Sequence, residues 1–297
     1  MEFLLGNGRR GGVMGTHVAK RFNIAQTARL ANPGDGQVRL AFRGRLPNVA
    51  EPRMKSPVWP FVAPFFLFML FLVVEGWFPD QHYLFYPVKS LAVGAVILGS
   101  WRLLPSLRPT LPVLSMLVGV LGVVLWIGLD PWSIQLNSLS DWIYNRAVHV
   151  IGLDSWQVHD DGPLIGRNPF QLYPASEAWI LFGFRVLGIS LVVPVMEELF
   201  WRGFLMRWLI KEEFTTVPLG TYQPFSFWLT TAFFAGVHGA EWPLAVIVGI
   251  LYGGWFVRTK SLGNIMLAHG VTNLLLALYC LMANDWHFLS IVTPAKP

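Results

Sequence analysis

The stretch 176–210 reads SEAWILFGFRVLGISLVVPVMEELFWRGFLMRWLI, and it is apolar over nearly its whole length. It is almost continuous helix former, interrupted by Pro194, which removes one backbone hydrogen bond and is expected to kink or break a helix. An apolar helix of about 20 residues crosses the roughly 30 Å hydrocarbon layer of a bilayer. The stretch therefore predicts one long tilted membrane span if the helix kinks, or two shorter spans if it breaks.

Apolar runs of similar character lie on both sides of this stretch. The residues are 54% apolar and 13% charged, whereas a soluble domain usually carries about 25% charged residues. This composition excludes an ordinary soluble globular protein and predicts an all-α, polytopic transmembrane helix bundle of seven or eight spans. The other spans are expected at about 57–78, 86–104, 111–129, 225–238, 243–257 and 262–282.

The distribution of charge favours seven spans over eight. With seven, the short loops that contain Arg108, Lys211 and Lys260 all fall on one side, and an excess of Lys and Arg in short loops marks the cytoplasmic side. The long segment 130–174 carries five Asp and two Arg, which suits the opposite side. Lys89, near the start of the second span, is expected to reach the headgroups.

The first 53 residues differ from the rest of the chain. They are rich in Gly, Arg and Asn, and with Met54 and Lys55 they hold ten Lys or Arg against three acids, in a chain of net charge +5. We interpret 1–53 as a disordered basic tail or an over-extended reading frame, and 54–297 as the membrane-embedded domain. The tail lacks aromatic interleaving and any recognisable binding fold, so no nucleic-acid partner is predicted.

Two adjacent acids lie deep in the long apolar stretch. Glu197 and Glu198 are flanked by apolar residues, and ionised groups inside a bilayer normally have a partner and a function. Arg202 follows Glu198 by four residues, so the two share a helix face and are expected to pair. Glu197 points elsewhere and is available as a general base. The alternative is that Glu198 and Arg202 merely join two spans.

Three further polar residues interrupt apolar helices. His238 ends the predicted fifth span, where on its own it is more often a hydrogen-bonded structural histidine than a catalyst. His269 and Asn273 are four residues apart and project from one face of the last span. Paired donors of this kind are what an oxyanion hole requires, although they could also form polar contacts between helices.

The combination is more informative than its parts. Two Glu, one Arg, two His and one Asn on three apolar helices supply a base and oxyanion donors for amide hydrolysis. HExxH and GxSxG are absent, and the single cysteine, Cys280, lies in an apolar run. We therefore predict a membrane peptidase (a hydrolase) with a membrane-associated peptide or protein substrate. The alternative is a non-catalytic transporter, immunity or assembly factor that binds through the same side chains.

The three motifs resemble a known family. EExxxR beginning at Glu197, FxxxH ending at His238, and HxxxN from His269 to Asn273 are similar to the signature motifs of the CAAX prenyl protease and bacteriocin-processing family of intramembrane endopeptidases. They occur in the family's order, and the likeness covers about 176–283.

The resemblance implies a role for each motif residue. Glu197 and His238 would activate the attacking water, and His269 and Asn273 would form the oxyanion hole. No organic cofactor is implied. A zinc ion is left open, with Glu197, His238 and His269 as its candidate ligands.

The resemblance also bears on the remaining residues and on location. Glu198 would belong to the catalytic group, with Arg202 as its electrostatic support. The layout from Met54 onward is similar to the bacterial CAAX protease-related proteins linked with exosortase and PEP-CTERM sorting. It implies a multi-pass protein of the bacterial inner (plasma) membrane.

Overall fold

Seven main helices follow one another along the chain, and no strand occurs among the residues that the structure describes. This computed structural model describes residues 57–78, 82–152, 157 and 168–289; the tail 1–53 lies outside them. The predicted all-α membrane fold is confirmed. The helices are α1 (Trp59–Gly76), α2 (His82–Ser100), α3 (Pro112–Val150), α4 (Ala175–Trp208), α5 (Pro224–Gly236), α6 (Trp242–Thr259) and α7 (Leu262–Ala283).

Six of these helices are long and apolar enough to cross a membrane. The exception is α5, whose 13 residues are about 20 Å long. α4 is continuous through Pro194, so the helix does not break there and the ground for an eighth span is removed. α3 continues to Val150, which means that the first part of the acidic segment 130–174 is helical rather than loop.

α4 accommodates Pro194 by widening its turns. Gly188–Val192 and Leu199–Leu205 are π-helical, and in the first of them the Val193 N–H bonds to the carbonyl of Gly188, five residues back. In that register the carbonyl of Ile189 would face Pro194, which has no N–H to donate. The chain therefore stays helical, with one main-chain oxygen left for an outside donor.

Local sequence sets the ends of the helices near the site. Gln223 accepts a hydrogen bond from the Ser226 N–H at 2.6 Å and caps α5, and Ser261 accepts one from the Asn264 N–H at 3.3 Å and caps α7. α6 ends at Lys260, which adopts the left-handed conformation with φ 54°. The turn between α6 and α7 is therefore short.

α7 occupies the centre of the bundle. Half of it is buried, and it packs against α3, α4 and α6. Two glycines of α3 allow this close approach: a Cβ on Gly119 would lie 2.4 Å from the carbonyl oxygen of Ala268, and one on Gly122 would lie 2.6 Å from Oγ1 of Thr272. These contacts fix the helix that carries His269 and Asn273.

The expectation that Lys89 reaches the headgroups is wrong. Its side chain is completely buried, and its Nζ lies 2.8 Å from Oε2 of Glu75 on α1. The ammonium group also lies 4.9 Å from the centre of the Phe68 ring and 4.7 Å from that of Tyr86. The lysine is therefore paired with a carboxylate inside the bundle and does not extend toward the membrane surface.

Candidate active site

Four of the side chains predicted to carry the chemistry line one cavity of about 170 Å³. Glu197 comes from α4, and His238 comes from the turn that follows α5. His269 and Asn273 come from α7, one helical turn apart. Glu197 is 11 residues from the end of α4 at Trp208, or about 16 Å, which is well inside a hydrocarbon layer of roughly 30 Å. Side chains from three separate segments thus face one intramembrane space.

Glu198 does not line this cavity but holds two of its neighbours. Its Oε1 accepts hydrogen bonds from Nη1 of Arg202 at 3.1 Å and from Nδ1 of His269 at 3.0 Å, and all three residues are buried. The predicted pair with Arg202 is therefore present, whereas the contact with His269 was not predicted. Arg202 also lies 4.6 Å from the centre of the Phe234 ring and donates to the carbonyl of Gly249 at 3.4 Å.

Glu197 has a different environment from its neighbour. Glu197 is 9% exposed and Glu198 is completely buried, while Oε2 of each carboxylate has no hydrogen-bond partner within the part of the chain that the structure describes. The carboxylate of Glu197 faces the cavity, while that of Glu198 is engaged with Arg202 and His269. Of the two adjacent acids, Glu197 is therefore the one placed to accept a proton from a water molecule.

His238 lines the cavity, and one of its ring nitrogens is hydrogen-bonded to the main chain. Its Nδ1 lies 2.7 Å from the carbonyl oxygen of Phe234, so the N–H at this position donates to the main chain. In the neutral ring the other nitrogen, Nε2, then carries a lone pair. The ring packs against Phe234 and Trp126, with centroids 4.6 Å and 5.8 Å away. The hydrogen bond to Phe234 fixes the tautomer of His238 in which Nε2 can accept a hydrogen bond.

Asn273 contacts α4 where Pro194 interrupts the main-chain hydrogen bonding of the helix. Its Nδ2 donates to the carbonyl oxygen of Ile189 at 2.8 Å, which is the oxygen left without a helical partner. Gly270 makes this approach possible, because a Cβ there would lie 2.6 Å from the carbonyl oxygen of Ser190. Nδ2 carries a second hydrogen, and Asn273 lines the cavity. One amide hydrogen therefore fixes the side chain, and the other can serve an acceptor in the cavity.

A family comparison matches the part of the chain that contributes most of the residues lining this cavity. The family model described as type II CAAX prenyl endopeptidase, Rce1-like, covers part of α4, all of α5 and α6, and most of α7. Residues 179–275 match this Rce1-like family. The predicted resemblance is confirmed over this Rce1-like segment, about one third of the 297 residues. No curated protein and no solved structure matches the chain.

The Rce1-like segment contributes cavity residues that the sequence patterns did not assign. Arg185 on α4 lines the cavity. Glu241 and Tyr252 line it too, and no motif marks either of them. Tyr252 has its ring 5.1 Å from that of His269 and donates its hydroxyl hydrogen to Oγ1 of Thr272 at 2.7 Å.

Glu241 lies in the turn between α5 and α6, outside the candidate spans. Burial, and to a smaller extent the nearby charge of Asp130, raises the pKa of its carboxyl group to about 8. The group is therefore mostly protonated at neutral pH. Its signal in the sequence is only its position three residues after His238.

A metal site is not supported by the side chains that the structure describes. Glu197, His238 and His269, the candidate zinc ligands, line one cavity. Across residues 57–78, 82–152, 157 and 168–289, however, no group of three or more His, Cys, Asp or Glu side chains is arranged to hold a metal ion.

Proposed function

We propose that the protein is an intramembrane endopeptidase that hydrolyses a peptide bond of a membrane-associated protein or peptide. The observation that carries this proposal is the cavity that Glu197, His238, His269 and Asn273 line together. A protease is also what the Rce1-like match favours, because the family it describes is one of prenyl endopeptidases.

Glu197 and His238 activate the water in this mechanism. The carboxylate of Glu197, which lines the cavity, takes one proton of the water. Nε2 of His238 accepts a hydrogen bond from the other O–H group, because Nδ1 is engaged with Phe234. The water oxygen then forms a bond to the carbonyl carbon of the substrate.

His269 and Asn273 stabilise the oxyanion that this attack produces. Asn273 donates its second amide hydrogen, and His269 donates from Nε2 when its ring carries both protons, with the Glu198 carboxylate against Nδ1. The carbon–nitrogen bond then breaks, and the leaving nitrogen takes the proton held by Glu197. Arg202 contributes by holding Glu198 in place.

The substrate class and location follow from the same proposal. A cavity inside a helix bundle admits a peptide that is itself bound to the membrane, so the partners are such a substrate and the lipid bilayer. The bacterial inner membrane and a link with PEP-CTERM sorting are the setting that the sequence resemblance favours.

Peptide cleavage by the purified protein in liposomes tests this function. A mixed library of apolar peptides is incubated with wild type, Glu197→Gln and Glu177→Gln, and products are read by mass spectrometry. Glu177 is an exposed acid on the same helix and serves as the matched control. We expect wild type and Glu177→Gln to cleave and Glu197→Gln to be inactive, because an amide cannot take the proton. Cleavage by Glu197→Gln at the wild-type rate would contradict the proposal.

A further inference from the structure

Arg185 lies in the same cavity as Glu197, nearer the N-terminal end of α4. We propose that its guanidinium anchors the main chain of the substrate by binding a carbonyl or carboxylate oxygen of the peptide. The inference rests on the proposed endopeptidase function and adds a residue that positions the substrate. Nothing in the three motifs includes this position.

The first observation is that this guanidinium already holds a peptide oxygen. Nη2 of Arg185 donates a hydrogen bond to the main-chain oxygen of Leu289, and both Leu289 and Phe288 line the cavity. A segment of the protein's own main chain therefore occupies the position that the proposal gives to the substrate. Its carbonyl stands in for an oxygen of the bound peptide.

The second observation is that the guanidinium is held rigidly. Arg185 is 4% exposed, and its Cζ lies 4.9 Å from the centre of the ring of Tyr86, which is itself buried on α2. Stacking on an aromatic face is compatible with hydrogen bonds in the plane of the guanidinium, such as the one that Arg185 donates to Leu289. A donor fixed in this way loses little conformational entropy when a ligand binds.

The third observation is the distance between Arg185 and Glu197 along α4. Arg185 and Glu197 are 12 residues apart on α4, which corresponds to at most about 18 Å along the helix. An extended peptide covers about 3.4 Å per residue, so roughly five residues span that length. One substrate strand can thus contact Arg185 while a peptide bond lies beside Glu197.

Two oxygen sources share this chemistry. A carbonyl within the peptide accepts one hydrogen bond, as Leu289 does, whereas a C-terminal carboxylate can accept two parallel hydrogen bonds from a guanidinium. The two sources differ in charge, so an amidated peptide separates them.

Binding to a non-cleaving protein tests the anchor. The full chain with Glu197→Gln is placed in nanodiscs, and a fluorescent apolar ten-residue peptide is added, either with a free C-terminal carboxylate or as its amide. Fluorescence anisotropy measures the affinity of each peptide for the protein that keeps Arg185 and for the variants that add Arg185→Gln or Arg185→Lys. Arg207→Gln is the matched control, because Arg207 is also buried on α4 and donates to the Gly203 carbonyl but does not line the cavity.

We expect Arg185→Gln to weaken binding by about tenfold or more, Arg185→Lys to restore part of it, and Arg207→Gln to leave it unchanged. A loss confined to the carboxylate peptide identifies a terminal anchor, and an equal loss for both peptides identifies an internal carbonyl. Unchanged affinity in Arg185→Gln, an equal loss in Arg207→Gln, or no binding by any variant would overturn the proposal.

Cleavage measured separately with Glu197 present keeps the two proposals apart. Peptide binding that depends on Arg185 without any cleavage would reject the endopeptidase and retain the anchor. Cleavage with the same KM in wild type and Arg185→Gln would reject the anchor and retain the endopeptidase.

Discussion

Nδ2 of Asn273 lies 2.8 Å from the main-chain oxygen of Ile189, and this bond ties α7 to the widened turn of α4. The sequence marks Pro194 as a point where the helix kinks or breaks, whereas in the structure the same proline frees the oxygen that Asn273 binds. The asparagine therefore both orients its own amide and joins two of the helices that carry the site.

Replacing Asn273 with Ala should slow cleavage by about a hundredfold, the usual scale for one oxyanion donor. It should also lower the thermal midpoint, because the Ile189 oxygen loses its donor. Asn264→Ala is the matched control: Asn264 lies on the same helix and bonds Thr110 and Leu111, but it does not line the cavity. A fall in kcat as large in Asn264→Ala as in Asn273→Ala would contradict an oxyanion role.

Glu198→Gln should cost stability as well as activity. The amide removes the charge that balances buried Arg202 and that holds Nδ1 of His269. Removing one partner of a buried pair costs about 3–5 kcal/mol in soluble proteins. Thermal unfolding followed by intrinsic fluorescence measures the change. Glu197→Gln is the comparison and should unfold near the wild-type temperature; equal losses in the two variants would refute this division of roles.

Stability should depend on pH through Glu241. Since burial raises its pKa from the usual value of 4.5 to about 8, the folded state favours the protonated carboxyl group. The contribution of Glu241 to folding stability is complete below about pH 4.5 and is lost as pH rises toward 8. Thermal midpoints from pH 5 to 9 should therefore fall less in Glu241→Gln than in wild type. Glu212 is an exposed acid, so the thermal midpoint of Glu212→Gln should change with pH as it does in wild type. The same pH dependence in Glu241→Gln would count against this assignment.

The orientation in the membrane remains a prediction from the distribution of Lys and Arg. Asp141→Cys and Lys211→Cys should be labelled from opposite sides of sealed vesicles by a reagent that does not cross membranes. Lys211 is exposed and therefore accessible, whereas Lys260 adopts a left-handed conformation that a cysteine would strain. Cys280 is buried and should give little background. Labelling of both positions from one side would reject the orientation.

Features of the site that depend on spacing along one helix were predictable from sequence. The pairing of Glu198 with Arg202 and the shared face of His269 and Asn273 follow from a separation of four residues. The contact between Glu198 and His269 was not predictable, because these residues are 71 positions apart and meet only through the alignment of α4 with α7. Lys89 was placed wrongly for the same reason, since its partner lies on another helix.

The π-helical turn at Gly188–Val192 also determines the angle between Arg185 and Glu197 around the axis of α4. Twelve residues of regular α-helix, at about 100° each, would leave these side chains about 120° apart. One extra residue in the wider turn absorbs about 100°, so the two groups come within about 20° of the same direction. Both then face one cavity. If the same twelve residues formed regular α-helix, Glu197 would turn about 100° away from the direction of Arg185 without a change in either side chain.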